Sequence, residues 1–281
     1  MRSYLDCYSC FIRQALDAAR RARLDEAGQA RVLDTVLAAL RSFDPSRPPP
    51  EMAASFHAVV REAAGSDDPY RAEKERATRE ALALYPDLAA RVAAAEDPLE
   101  AALRLAIAGN VIDLGAHTDY DLPAAVERVL TQDFAVCELP ALREALAAAP
   151  WLLYLGDNAG ETVFDRLLIE TLDVPCTYAV RGGPVLNDAT REDARAAGLD
   201  EVATLVDNGA RVPGTVLELC SAEVRDLFAR APLILSKGMG NYESLDGRPE
   251  PIFHLLQAKC PVIARDLGVS VGSIILARNG S

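Results

Sequence analysis

Short apolar runs alternate with helical stretches in the second half of the chain, and this alternation constrains the fold more than any other sequence feature. Parallel strands need helical crossovers between them, and a parallel sheet is buried on both faces. The pattern therefore predicts an α/β fold with a Rossmann-like parallel sheet layered by helices. The predicted strands lie at 151–155, 176–180, 203–206, 233–235 and 262–264.

Residues 1–148 show a helical pattern instead. Stretches rich in alanine, leucine, arginine and glutamate, such as 25–43 and 69–85, place apolar residues at helical spacing. Strand-like alternation is nearly absent there. We therefore predict two domains, a helical N-terminal domain at 1–148 and a Rossmann-like α/β metal-binding domain at 149–281.

The acidic composition excludes several classes of partner. The net charge is −13 and the pI is near 4.8, whereas nucleic acids and anionic membranes select basic surfaces. No apolar run reaches the roughly 18 residues that a membrane helix needs, and no signal-peptide pattern follows Met1. The six cysteines are too sparse for a disulfide framework. We expect a cytoplasmic protein that acts on a small molecule.

Polar residues follow the predicted strands at the sheet edge where α/β folds bind ligands. Carboxylate and amide oxygens favour Mg²⁺ or Mn²⁺ over a structural Zn²⁺. Each aspartate or asparagine alone can simply cap the next helix, but several carboxylates at one edge need a counter-ion. These residues are Asp157, Asn158 and Glu161 after the first strand, Arg181, Gly182, Asn187 and Asp188 after the second, and Asp207 after the third.

The fourth predicted strand is followed by a basic residue. Lys237 supplies a point charge for phosphate, and the backbone N–H groups at Gly238 to Gly240 can bind an anion at a helix start, close to Asn241. Glycines at such a place can also serve the turn alone. A metal site beside an anion site predicts phosphoryl chemistry.

Two smaller groups of residues leave alternatives open. Cys7 and Cys10, with Cys260 far downstream, can form a second metal or redox site, although no second cysteine pair completes a zinc ribbon. Asn110 and Asp113 close a helical apolar run, where they either reach the sheet edge or only end the helix.

Six motifs together make the sequence resemble the damage-control metal phosphatases, the family also known as domain of unknown function 89, in its prokaryotic branch with an N-terminal cysteine pair. The resemblance covers nearly the whole chain. The motifs are Asp-Cys-Tyr-Ser-Cys at 6–10, Gly-Asn-Val-Ile-Asp at 109–113, Gly-Asp-Asn-Ala-Gly-Glu at 156–161, Arg-Gly-Gly-Pro at 181–184, Asn-Asp-Ala-Thr at 187–190 and Ser-Lys-Gly-Met-Gly-Asn-Tyr-Glu at 236–243.

The resemblance implies a phosphatase of sugar phosphates or damaged phosphometabolites that uses Mn²⁺, Ni²⁺, Co²⁺ or Mg²⁺. It implies metal binding by Asp157, Asn158 and Asp188 and a phosphate contact by Lys237. A carboxylate, Asp157 or Asp207, would attack or position water, and the choice between them stays open. The predicted substrate-binding residues are Arg181, Gly182, Asn187, Lys237, Gly238, Asn241, Asn110, Asp113 and Glu161.

Two alternatives belong to other functional classes. One is a carboxyl methyltransferase that uses S-adenosylmethionine, because 153–160 resembles the glycine loop after the first strand of that fold. Arg181 stands where an acid would bind the ribose of that cofactor, which disfavours this alternative. The other is a non-catalytic module that binds a metal or a metabolite.

Overall fold

The N-terminal part of the chain is helical. The computed structural model describes residues 1–111 and 122–280, without the side chains of 110–111 and 122–125. None of the helices among these described residues combines the length and the apolarity needed to cross a membrane. Six described helices precede the first strand: α1 (Leu5–Arg21), α2 (Glu26–Ser42), α3 (Pro49–Ala64), α4 (Arg71–Ala94), α5 (Pro98–Val111) and α6 (Leu122–Thr131).

The rest of the described chain builds a seven-stranded sheet with helices between its strands. The strand order is β1-β7-β6-β5-β2-β3-β4. Neighbours from β6 to β4 run parallel, whereas β7 is antiparallel to β6 and pairs parallel with β1, so the sheet is mixed. The elements are β1 (Phe134–Cys137), α7 (Leu139–Ala148), β2 (Leu152–Leu155), α8 (Thr162–Thr171), β3 (Cys176–Val180), α9 (Arg191–Ala196), β4 (Thr204–Asp207), α10 (Ala222–Arg230), β5 (Ile234–Lys237), α11 (Gly238–Leu245), β6 (Ile252–Gln257), α12 (Pro261–Asp266) and β7 (Ile274–Arg278).

The predicted α/β fold with N-terminal helices is confirmed, and four of the five predicted strands are present. The strand predicted at 262–264 is wrong, because these residues lie in α12. Pro261 occupies the first turn of that helix, where its fixed φ favours a helical start.

Three strands were not predicted, namely β1, β6 and β7. Strand β1 lies within 1–148 and has only four residues, so its alternation is too short to stand out. Strand β6 is almost wholly buried but contains His254, whose ring hydrogen-bonds Ser236 and Asn279 at 3.1 and 2.8 Å. This polar residue interrupts the apolar pattern of the strand, although its partners make its burial possible.

One hydrophobic core joins the N-terminal helices to the sheet. Leu105 and Ile107 of α5 are fully buried in the same cluster as Tyr154 of β2 and Phe164 of α8. A second cluster packs α1, α2 and α3 together and includes Val262 of α12. The predicted division at 148/149 stays a prediction, and apolar packing crosses it.

A buried histidine marks the contact between α3 and the segment that leads to Asp188. His57 is buried, its ring lies 4.4 Å from that of Phe56, and it lines a small pocket together with Val185 and Leu186. Neither ring nitrogen has a hydrogen-bond partner among the described residues. Burial, with a smaller contribution from the charge of Arg61, lowers the pKa of His57 to about 3.

Replacing this histidine should reduce the loss of stability in acid. Because the folded pKa lies below the usual 6.5, the unfolded chain binds the proton more tightly. The stability linked to neutral His57 is complete above pH 6.5 and is lost as the pH falls toward 3, by about 2 kcal/mol at pH 5. His57→Leu should remove this part. Urea unfolding at pH 7.5 and 5.0 measures it.

The control is internal, because His254, whose pKa burial lowers to about 4, is present in both proteins and its contribution cancels. The unfolding free energy of the unaltered protein should fall more between pH 7.5 and pH 5.0 than that of His57→Leu. An equal fall in both proteins would contradict the low pKa of His57.

Candidate active site

The loops that follow β2 and β3 pair with each other through their backbones. Asn158 and Asp188 form an isolated antiparallel bridge. The backbone N–H of Ala189 donates to the carbonyl oxygen of Asp157 at 2.8 Å. This pairing places Asp157, Asn158 and Asp188, the three predicted metal ligands, side by side at the sheet edge.

Close packing beneath the first loop explains why glycine stands at 156. A Cβ atom on Gly156 would lie 2.4 Å from the Tyr178 hydroxyl oxygen, which no real contact allows. Asn241 holds the same loop from the other side, since its Nδ2 donates to the carbonyl oxygens of Gly156 at 3.0 Å and Lys237 at 2.8 Å. Its Oδ1 accepts from the Thr215 hydroxyl at 2.7 Å. The Asn241 side chain, predicted to bind substrate, is thus engaged in fixing the loop.

The acids at this edge are only partly compensated. Arg181, 2% exposed, donates from Nε to the Asp188 carboxylate at 2.6 Å, and its Nη2 lies 3.6 Å from Asp157 Oδ1. Burial raises the pKa of Asp157 well above its usual value, and the charges of Glu161 and Asp188 raise it further, against Arg181. Burial also raises the pKa of Asp188, and Arg181 again opposes the shift. A divalent cation would relieve this repulsion.

The donor set fits such a cation. Asp157 and Asp188 offer carboxylate oxygens, and Asn158 offers an amide oxygen, all of them hard ligands that suit Mg²⁺ or Mn²⁺. Among the described residues no three His, Cys, Asp or Glu side chains stand close enough to hold one metal ion. A metal ion bound here would therefore need the Asn158 amide oxygen as its third protein ligand.

Lys237 lies beneath this edge in a buried network of charges. The side chains of Lys237 and Asp165 are 0% exposed, and the Lys237 ammonium lies 2.7 Å from Asp165 and 3.1 Å from Glu161. Burial lowers the pKa of Lys237, but the two carboxylates outweigh it and the net shift is upward. Burial raises the pKa of Glu161, against Lys237 and Lys259. Asp165 was not singled out from the sequence, because it lies inside a helix rather than after a strand.

A cavity of about 670 Å³ opens over the three predicted ligands, between the sheet edge and the N-terminal helices. Lys259 lines it, and its ammonium is near enough to lower the pKa of both Asp157 and Glu161. Lys237 is not among the described residues that line this cavity. Lys259 was missed from the sequence because the strand before it, β6, was not recognised.

The three lysines of the chain differ in their surroundings. Lys74 is buried between Asp68 and Asp193, at 2.7 and 2.8 Å. Lys237 is likewise buried between two carboxylates. Lys259 is half-buried and makes no ion pair with a described residue, so it is the lysine placed to bind an anion in the cavity.

Other predicted site residues lie apart from the cavity or serve the backbone. Asp207 is on the edge strand β4, paired with Arg191 at 3.1 Å, and does not line the cavity in the described structure. The Gly182 N–H donates to Asn208 Oδ1 at 3.1 Å, which links the loop after β3 to the loop after β4. The Asn187 carbonyl oxygen accepts from a backbone N–H of the neighbouring loop.

Gly238 begins α11 with a φ of 78°, in the left-handed region that favours glycine. Asp113 and the side chain of Asn110 lie outside the described residues. The predicted roles of these two residues therefore stay predictions.

The three cysteines of the predicted second metal or redox site, Cys7, Cys10 and Cys260, line the same cavity. Cys7 Sγ accepts from the Tyr4 backbone N–H at 3.4 Å, and Cys260 Sγ accepts from that of Ile263 at 3.5 Å. Burial raises the pKa of both thiols. Cys10 lies beside them, on the same helix as Cys7. A metal or redox role of the three cysteines stays a prediction.

Comparisons with known proteins give one consistent result. A family model described as the damage-control phosphatase ARMT1-like domain matches residues 3–275. An uncharacterized protein of Methanocaldococcus jannaschii is 36% identical over 97% of this chain and 94% of its own. A damage-control phosphatase of Archaeoglobus fulgidus is 34% identical over 96% of each chain. The crystal structure of a DUF89 family protein from Pyrococcus horikoshii superposes with a TM-score of 0.89 at 30% identity, covering 99% of both chains.

A pair of glycine variants tests the close approach that supports Asp188. The Gly214 backbone N–H is near enough to the Asp188 carboxylate to lower its pKa, and a Cβ on Gly214 would lie 2.2 Å from the Gly240 carbonyl oxygen. Gly247 has a similar φ, 74° against 79°, but open space around it. Both alanine variants should lose about 1 kcal/mol from the backbone conformation, and Gly214→Ala about 1–3 kcal/mol more. Urea unfolding measures both; equal losses would refute the steric argument.

Proposed function

The chain belongs to the damage-control phosphatase ARMT1-like family, and from that membership and the chemistry of the cavity we propose that it is a metal-dependent phosphatase of small phosphorylated metabolites. The observation that carries the proposal is the meeting of Asp157, Asn158 and Asp188 on the floor of a cavity that Lys259 also lines. Oxygen ligands for a divalent cation and a cation for the substrate phosphate thus share one space. Sugar phosphates and damaged phosphometabolites are the proposed substrates.

Each residue of the site has a role that follows from its place. Asp157, Asp188 and the Asn158 amide oxygen would hold Mg²⁺, Mn²⁺, Co²⁺ or Ni²⁺, which when bound neutralises charge on the phosphate oxygens and activates water. Arg181 keeps the Asp188 carboxylate in place through its 2.6 Å hydrogen bond. Lys259 binds the substrate phosphate as a point charge.

Of the two candidate carboxylates, Asp157 is better placed than Asp207 to attack the phosphate or to position water. Asp157 lines the cavity, whereas Asp207 lies two strands away from β2 and is paired with Arg191. A reacting group must come within hydrogen-bond reach of the substrate. No observation favours the methyltransferase alternative, because the end of β3 carries the buried Arg181 rather than an acid for a ribose.

Metal-stripped protein tests the proposal directly. Phosphate release from p-nitrophenyl phosphate and a panel of sugar phosphates should return when Mg²⁺, Mn²⁺, Co²⁺ or Ni²⁺ is added back singly. Asp157→Asn keeps the size of the side chain but removes its charge, so kcat should fall at least about 100-fold. Asp226→Asn, at an exposed pair with Arg230, is the matched control. Full turnover in Asp157→Asn would refute the metal assignment, and silence of the unaltered protein with every metal would favour a binding module.

Lys259→Met should separate phosphate binding from metal binding. Loss of the point charge should raise KM and the inhibition constant of inorganic phosphate about tenfold, with a smaller change in kcat. Lys259→Arg keeps the charge and should recover most of the affinity. Steady-state kinetics measure both variants. An unchanged inhibition constant for phosphate in Lys259→Met would show that another residue binds the phosphate.

A further inference from the structure

The charges under the metal site form a connected chain of hydrogen bonds. Asp165 stands at its base, where the Tyr154 hydroxyl donates to Oδ1 and the Tyr178 hydroxyl donates to Oδ2, each at 2.7 Å. The two tyrosines are directly paired across β2 and β3, and their rings stack 5.0 Å apart. Asp165 is therefore fixed by two rigid neighbours on the sheet.

Lys237 is the next member of the chain. Its ammonium donates to Asp165 Oδ1 at 2.7 Å and to Glu161 Oε2 at 3.1 Å, and it is wholly buried. An ammonium has three donors, and two of them already bind carboxylates. The third donor does not reach the cavity, because Lys237 is wholly buried and is not among the described residues that line it. To meet a phosphate there, the lysine would have to move away from two buried carboxylates, which is costly.

Glu161 connects this buried chain to the metal site. Its Oε2 accepts from Lys237, and its Oε1 accepts from Asn158 Nδ2 at 2.6 Å. If the Asn158 amide were turned over, its oxygen would face the Glu161 carboxylate, and the two acceptors would repel each other. The same nitrogen lies 3.5 Å from Asp157 Oδ2, a longer and weaker contact. Glu161 thus holds the amide nitrogen of Asn158 as a donor and leaves Oδ1 as the atom that can bind a metal.

We infer that Lys237 is a positioning residue that acts through Glu161 on Asn158, and that it does not contact the substrate phosphate. The inference extends the proposed function and rests on its metal site. Asp165 and the two tyrosines hold Lys237, Lys237 holds Glu161, and Glu161 sets which atom of the Asn158 amide faces the metal. The phosphate contact belongs to Lys259.

A double variant tests this chain. Glu161→Gln leaves one acceptor oxygen and one NH2 group facing two donors, Lys237 and Asn158, so one of the two hydrogen bonds must be lost. Adding Lys237→Met removes one donor, and the oxygen of the introduced glutamine can then accept from Asn158. The double variant also keeps the net charge of the wild-type network. Glu161→Gln should weaken Mn²⁺ binding about tenfold, and the double variant should bind Mn²⁺ within about threefold of the unaltered protein.

Isothermal titration of metal-stripped protein with Mn²⁺, without substrate, measures the Mn²⁺ affinity. The second measurement is the affinity for inorganic phosphate at saturating Mn²⁺. In the double variant this affinity should stay within about threefold of that of the unaltered protein. Lys259→Met provides the comparison for a lost phosphate contact. Mn²⁺ binding in the double variant as weak as in Glu161→Gln, or a tenfold loss of phosphate affinity, would overturn the inference.

A second double variant, Asn158→Asp with Glu161→Gln, keeps the inference testable if the first double variant does not fold. In it the donor and the acceptor exchange places, so the NH2 group of the introduced glutamine donates to the introduced aspartate, and the glutamine oxygen accepts from Lys237. Mn²⁺ binding should again recover relative to Glu161→Gln alone, and no recovery would refute the inference. If the unaltered protein binds no Mn²⁺, the proposed metal site itself is refuted. If it binds Mn²⁺ but a folded double variant does not recover, only the positioning role is refuted.

Discussion

The functional part of the structure depends on one constraint. The buried carboxylates at the carboxyl ends of the strands need positive charge close to them. An isolated buried charge is costly, and a buried ion pair at best roughly balances its own desolvation. Arg181 and Lys237 supply the buried cations, yet they face four acids: Asp157, Asp188, Glu161 and Asp165. The excess of negative charge lies beside the cavity, where a divalent cation can complete the balance. Such an arrangement is better explained by binding than by stability.

The N-terminal helices complete the site instead of standing apart from it. Helix α5 shares the main hydrophobic core with the sheet, and α1 and α3 contribute lining residues to the cavity. Helix α3 also contacts the segment that precedes Asp188, where Arg61 donates to the Pro184 carbonyl oxygen at 3.3 Å. The terminal ammonium of Met1 donates to the Glu243 carbonyl oxygen at 2.7 Å, which holds the chain start against α11. Apolar packing of these helices on the sheet thus encloses the polar site.

Local patterns in the sequence were sufficient to predict much of the candidate site. Asp157, Asn158 and Asp188 were expected near one another because each follows a strand of one parallel sheet, and the loops that carry them are indeed paired. Asp207 also follows a strand, but β4 is the edge strand, and strand order is not a property of local sequence. Asp165 lies inside α8, where no strand-end pattern could reveal it.

The sequence by itself determined the alternation of strands and helices, the residues at the strand ends and the acidic character of the site, because these depend on periodicity and residue type within short segments. Only the tertiary structure decided which cations meet which acids. Lys237 follows a strand as a phosphate-binding lysine would, yet the packing of α8 on β2 and β3 buries it between Glu161 and Asp165. Lys259 faces the cavity because of where β6 ends in the sheet. Electrostatic partnership depends on distance and burial, and both arise from contacts between residues far apart in the chain.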